Sequence, residues 1–322
     1  MRFLPKTALL AWLVAVSCLA VCHLNHPRLW IQDLLCSVSL YWIPFVLAGF
    51  VWALARCVKL RSCSVALLWA LVVQGYLLVR VATVAMPYVS FSRWPEAQAG
   101  QSVEVPVLFS HVDFAQNGLA RLSAETARRA PSIVVLVGEP GQLAAATESM
   151  PGFPRVLDST PPGVTVLSRF DLEDGSRTSL GTGALPGMFL KLRVPRVGSV
   201  LLGVLDLIPA ASQRDFFLSK VTSRRIASSL RYQKEPRVVV GSFDATPFAP
   251  IVNMYPRQLG LRSVMFGQGL VRTFDLQDPV VRLALDNAFV SKEIGVKDFE
   301  LLNDVSLHRA AMSFVMSIPA RE

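Results

Sequence analysis

Cysteine is missing after position 63, the five thiols falling at Cys18, Cys22, Cys36, Cys57 and Cys63. The long C-terminal part is thereby excluded from disulfide scaffolds and from cysteine-ligated metal sites. Acidic residues are nearly missing from the opposite end. Residues 1–87 carry seven Lys or Arg and one acid, Asp33, so six of the nine net positive charges lie there. The remainder has 25 bases and 22 acids, a balance that excludes a strongly basic, nucleic-acid-coating domain. Internal repeats and low-complexity tracts are also lacking, which excludes solenoids and propellers.

What is present is apolar: 52% hydrophobic against 17% charged residues, with a mean hydropathy of +0.44. No charge occurs from Ala8 to Cys22, across the 22 residues Leu34–Ala55, or across the 18 residues Ser62–Val79. About 20 apolar residues carry a helix across a bilayer. The runs predict a membrane anchor over 1–88, with transmembrane helices at about 8–24, 34–55 and 62–86, and the lipid bilayer as its partner. Arg2 and Lys6 would also suit a signal peptide ending at Cys22, but two further spans follow and favour a retained anchor. Arg56, Lys59 and Arg61 lie between the second and third spans, so both that loop and the N-terminus are expected in the cytoplasm. The prediction is a multi-pass protein of the cytoplasmic (inner) membrane whose C-terminal domain is extracytoplasmic. Arg80 is read as snorkelling to the interface.

Residues 89–101, with Pro95 and Gly100, read as a polar linker, and 102–322 as one domain. Strands are predicted at 103–109, 132–139, 163–168, 188–194, 199–206, 237–241, 283–291 and 310–318. Amphipathic helices are predicted at 117–130 and 212–232. Several strands follow one another without an intervening helix, so the expected class is an α/β sandwich rather than a doubly wound sheet. Residues 170–187 read as a solvated hairpin, and Arg224, Arg225 and Arg231 as the solvated face of a helix. Polar side chains recur at strand C-termini: Glu139, Asp206, Ser242 with Asp244, and Asp286, with His308 before the last strand. Such ends are where a site converges.

The segments VVLVGE, VTVLSRFDL, VVVGSFDATPF, GQGLVRTF, LDNAFVS and SLHRAAM, in this order, resemble the endonuclease/exonuclease/phosphatase superfamily. In outline the chain is similar to its bacterial members with three N-terminal spans. The resemblance implies a four-layer α/β sandwich and water attack on a phosphoester assisted by Mg²⁺ or another divalent cation. The substrate would be nucleic acid, a nucleotide or a lipid headgroup. It places Glu139 and Asp286 at metal-binding positions and His308 at the final histidine. The family's G-D-x-N appears as Gly241, Ser242, Phe243, Asp244, and its strand-end histidine before a proline as Asp206. Leu307 stands where an acid precedes the final histidine, and Ser110 or His111 where an early asparagine is expected. Ser242 lacks the basicity of a carboxylate, whereas Asp244 adds a charge that can join the metal set with Glu139 and Asp286. Two functions fit this pattern. One is a hydrolase with an altered site in which His308, Asp244, Ser242 and Asp206 act catalytically. The other is an inactive pseudoenzyme serving as a binding or scaffold module.

Overall fold

The computed structural model describes residues 6–22, 29–60, 64–89, 102–113, 118–173, 178–181, 185–269, 271–274, 283–303, 305–306 and 308–321. Four helices come first: α1 (Lys6–Cys22), α2 (Trp30–Ser37), α3 (Ser39–Leu60) and α4 (Val65–Val89). Among the described residues two stretches, Tyr41–Lys59 and Val65–Val89, are long and apolar enough to cross a membrane, while Ala11–Ala20 forms a shorter apolar helix. Two candidate spans therefore stand where the sequence predicts three. The 17 residues of α1 rise only about 25 Å, against a hydrocarbon core of about 30 Å.

Next in the chain are β1 (Ser102–Val112), α5 (Gly118–Arg129), β2 (Ile133–Gly138), α6 (Pro140–Glu148), β3 (Arg155–Asp158) and β4 (Val164–Ser168). The short β5 (Asp171–Leu172) and β6 (Thr178–Ser179) precede β7 (Gly187–Val194), β8 (Gly198–Asp206) and α7 (Gln213–Arg231). Last are β9 (Arg237–Ser242), α8 (Pro250–Leu259), β10 (Arg262–Ser263), β11 (Asp286–Val290), β12 (Gly295–Leu302) and β13 (Ala311–Pro319). A six-stranded sheet runs β12-β13-β1-β2-β4-β3, and a seven-stranded one β10-β11-β9-β8-β7-β5 with β6 on β7.

Period-two alternation builds the layers. In β9, Val238 and Val240 join Val105, Val135, Val166 and Leu202 between the sheets. Val239 points the other way, to Ile226 and Leu230 of α7 and Tyr255 of α8. On the far side, Leu108, Val134 and Leu136 meet Leu122 of α5 and Leu143 of α6. The result is four layers, helix on sheet on sheet on helix. Each such valine or leucine contributes about 1.5–3 kcal/mol by leaving water. The helix α7 starts where Ser212 Oγ accepts from the Asp215 backbone N at 3.2 Å, satisfying a first-turn donor that the helix leaves unpaired.

The sequence did not announce α6, α8, β3 or β12. Pro140 and Pro250 open the two helices, an N1 position at which proline is favoured. A bulge between Lys297 and Glu300 breaks the alternation of β12.

Two junctions join the helices to the sandwich. The backbone N of Trp30 donates to Gln213 Oε1 at 3.1 Å, and Thr246 Oγ1 donates to the Ser37 carbonyl at 2.7 Å. At the other junction, Gly267 N and Gly269 N donate to the carbonyls of Pro87 and Tyr88 at 3.0 and 2.8 Å. The Tyr88 ring packs edge-on against Phe266 with centroids 5.0 Å apart.

Candidate functional site

Strands β8 and β9 pair in parallel with Asp206 opposite Ser242, and β9 and β11 pair antiparallel with Ser242 opposite Asp286. Register alone thus sets Asp206, Ser242 and Asp286 in one row across three neighbouring strands. The close approach depends on Gly241, where a Cβ would lie 2.0 Å from the Leu205 carbonyl oxygen. Three residues beyond Gly241, past Phe243, the chain reaches Asp244 at φ +47°, a left-handed conformation that Asp and Asn tolerate best among side-chain-bearing residues.

The cation in this row comes from Arg309, the residue after His308. Arg309 Nη1 donates to Ser242 Oγ at 2.8 Å and to Asp286 Oδ1 at 2.9 Å, and Nη2 donates to Asp244 Oδ1. The guanidinium lies over the Phe274 ring, 5.3 Å from its centroid. Side-chain exposure is 11% for Arg309, 9% for Asp244 and 0% for Asp286. Thr273 Oγ1 accepts from the backbone N of both Leu285 and Asp286 at 3.0 Å, fixing the strand end that carries the acid. Burial raises the pKa values of Asp286 and Asp244, and Arg309 counters it in both. The Arg309 pKa is itself raised, the two carboxylates outweighing its burial.

Beside this cluster lies a cavity of about 690 Å³ lined by His111, Glu139, Asp206, Arg214, Asp215 and Leu218, among others. Burial pushes Asp206 up to about 8, helped by the nearby Asp244 and Asp286 and opposed by Arg309. Burial and then Arg309 push His111 down to about 4, and its Nδ1 is buried without a hydrogen-bond partner. The wall therefore presents a neutral carboxyl and a neutral imidazole at pH 7.

Of the residues proposed from sequence, Asp206, Ser242, Asp244 and Asp286 lie within or beside the Arg309 cluster, and Ser110 is buried on β1. Glu139 is exposed at the N-cap of α6 and lines the cavity rather than the cluster. His308 is exposed, and the side chain joined to Asp244 and Asp286 is its neighbour's. Leu307 lies outside the described residues. Arg309 itself was not singled out in the sequence. The signal for it was Asp244: an extra buried carboxylate beside Asp286 demands a cation, and an arginine adjoins the motif.

No group of three or more His, Cys, Asp and Glu among the described residues is placed to hold a metal ion. Two of the three expected ligands, Asp244 and Asp286, are bound to Arg309, whose guanidinium takes the space and supplies the positive charge that a cation would. The residues present do not fit a divalent ion in this arrangement.

Two sheets flanked by helices, with a polar row across the carboxyl ends of β8 and β9 and, contrary to the strand C-terminus expected for Asp286, the opening residue of the antiparallel β11, form a sandwich of endonuclease/exonuclease/phosphatase-like fold. Among solved structures, the fold is similar to an endonuclease/exonuclease/phosphatase family protein from Bacteroides thetaiotaomicron, at TM-score 0.51 and 13% identity over 69% of this chain and all of that one. A humanized D. rerio TDP2 matches at TM-score 0.53 and 13% identity, over 66% of this chain and 98% of its own. The human Nocturnin catalytic domain with bound sulfate matches at TM-score 0.50 and 15% identity, over 67% of this chain and 97% of its own. At such identities it is the fold that is shared. No family model matches the chain, and no curated protein matches it in sequence.

Proposed function

We propose that the protein is a membrane-anchored, outward-facing module that binds a ligand on an endonuclease/exonuclease/phosphatase-type sandwich without hydrolysing phosphoesters. One observation carries this reading: the Arg309 guanidinium is bonded to Asp244, Asp286 and Ser242. Water attack on phosphorus needs a positioned base and mobile or preorganised positive charge at the developing oxyanion. Here the carboxylates that would serve are engaged with an internal cation, and Ser242 stands at the base position. Support for anchoring comes from the two helices long enough to cross a bilayer, with α1 as a third span around which the bilayer thins. Support for the orientation comes from the three cations at 56–61.

A second function, metal-free hydrolysis, is favoured by the cavity. Asp206 and His111 line one wall with pKa values moved in opposite directions, the pattern of an acid and base pair. The test is turnover of bis-p-nitrophenyl phosphate, p-nitrophenyl phosphate and an oligonucleotide by the full chain in nanodiscs. No turnover above blank, with or without Mg²⁺, is expected. Turnover that survives EDTA and is lost in Asp206→Asn would establish the second function. Mg²⁺-dependent turnover lost in Glu139→Ala would overturn the binding module.

A further inference from the structure

The short helix α2 lies between α1 and α3, and it is clamped to α7 rather than projecting into solvent. Trp30 N meets Gln213 Oε1, and Asp33, 2% exposed, is buried within electrostatic reach of Lys220. Gln213, Phe217, Lys220, Arg224 and Arg231 succeed one another at helical spacing along one face of α7. Next to α2 on that face Phe217 is 60% exposed, and α2 itself exposes Ile31 and Leu34 at 44% each. Further along, Arg224 and Arg231 are exposed.

From this juxtaposition we infer that α2 and the exposed face of α7 form one bilayer-contact surface, in which Phe217 enters the headgroup layer and Arg224 and Arg231 engage anionic phospholipid. The inference rests on the anchoring proposed above. A helix joined at both ends to membrane spans sits at the interface, so whatever continues its outer face sits there too. The composition suits that place: an apolar ring for the acyl boundary, then cations drawn to anionic headgroups. The first turn of α7 also supplies Arg214 and Asp215 to the cavity wall, so the cavity is held at headgroup depth.

The test uses the full chain in vesicles, with benzoylphenylalanine introduced at Phe217 and, as a control, at Val156. Val156 is 47% exposed on the edge strand β3 of the other sheet. Illumination is expected to attach phospholipid to the peptide carrying position 217 and not to the one carrying position 156. Arg224→Glu with Arg231→Glu should lower the adduct severalfold in phosphatidylglycerol-containing vesicles and leave it unchanged in pure phosphatidylcholine. Equal labelling at both positions, or an adduct at 217 to a second copy of the chain, would overturn the inference while leaving the anchor intact. Extraction of the chain from vesicles by alkaline carbonate would instead remove the anchoring on which it rests.

Discussion

Arg309 Nη1 lies 2.9 Å from Asp286 Oδ1, and the Asp286 side chain is wholly buried. A carboxylate removed from water at a strand end is tolerable because a charge of opposite sign is fixed against it. Removing the cation should therefore cost more than the pair contributes. Arg309→Gln is expected to lower domain stability by about 3–5 kcal/mol, the usual loss when one partner of a buried pair is deleted. Scanning calorimetry of the full chain in detergent measures it. Mg²⁺ should raise the melting temperature of this variant, reversibly with EDTA, and leave the wild type unmoved, since only the variant frees Asp244 and Asp286. If Arg309→Gln does not fold, Arg309→Lys provides the comparison: it keeps a charge but loses the forked geometry. An equal Mg²⁺ response in wild type and variant would show that the guanidinium does not occupy the cation's place.

Rebuilding catalysis should require several changes at once. Ser242→Asp, Asp244→Asn and Leu307→Asp, combined with Arg309→Ala, are expected to produce Mg²⁺-dependent hydrolysis of bis-p-nitrophenyl phosphate where the wild type has none. Each alone should do little, because groups that act as a unit are strongly non-additive. Activity in the triple variant with Arg309 retained would argue that the arginine is no obstacle.

Gly241→Ala is expected to cost about 3 kcal/mol, the range for forced overpacking. The new methyl would meet the Leu205 carbonyl oxygen at 2.0 Å, a backbone atom held in the β8–β9 ladder. Chemical denaturation measures the loss. A neutral result would mean that the two strands separate freely at the site.

Stability should fall as pH rises from 6.5 to 8. The Asp206 carboxyl moves from 3.8 to about 8 on folding, so the folded state holds the extra proton between those values and loses that advantage as pH rises through them. His111 moves from 6.5 to about 4, which makes the fold gain stability with rising pH over that window. The two oppose each other below 6.5, and above it the carboxyl acts without the imidazole, with Asp33, raised to about 7 by burial, contributing in the lower part. After solvent screening the Asp206 contribution is about 1 kcal/mol. Asp206→Asn should flatten the decline in melting temperature, and an unchanged slope would assign it to other groups.

The orientation is checked at Ala144, which is exposed on α6 in a region without cysteine. Ala144→Cys should react with a membrane-impermeant maleimide in intact spheroplasts. Reaction only after lysis would place the sandwich in the cytoplasm.

The sequence by itself determined the sandwich class and two of its three predicted spans, those at Tyr41–Lys59 and Val65–Val89. Hydrophobic alternation in SIVVLVG and RVVVG, and charge-free runs of about 20 residues, are local patterns that any packing of the chain must respect. It also determined which polar residues end the strands, because the alternation stops at a glycine before Ser242 and at the carboxyl end of β8 before Asp206. Tertiary structure alone decided which of these meet. Ser242 faces Asp206 and Asp286 only through a register shared by β8, β9 and β11, strands far apart in the chain. Arg309 reaches Asp244 from 65 residues away. Whether a strand end offers its histidine or the next residue to a site depends on the turn leading into the strand. At 308 and 309 that turn exposes the imidazole and buries the guanidinium beside the acids, a choice of side-chain direction that residue types along a sequence do not encode.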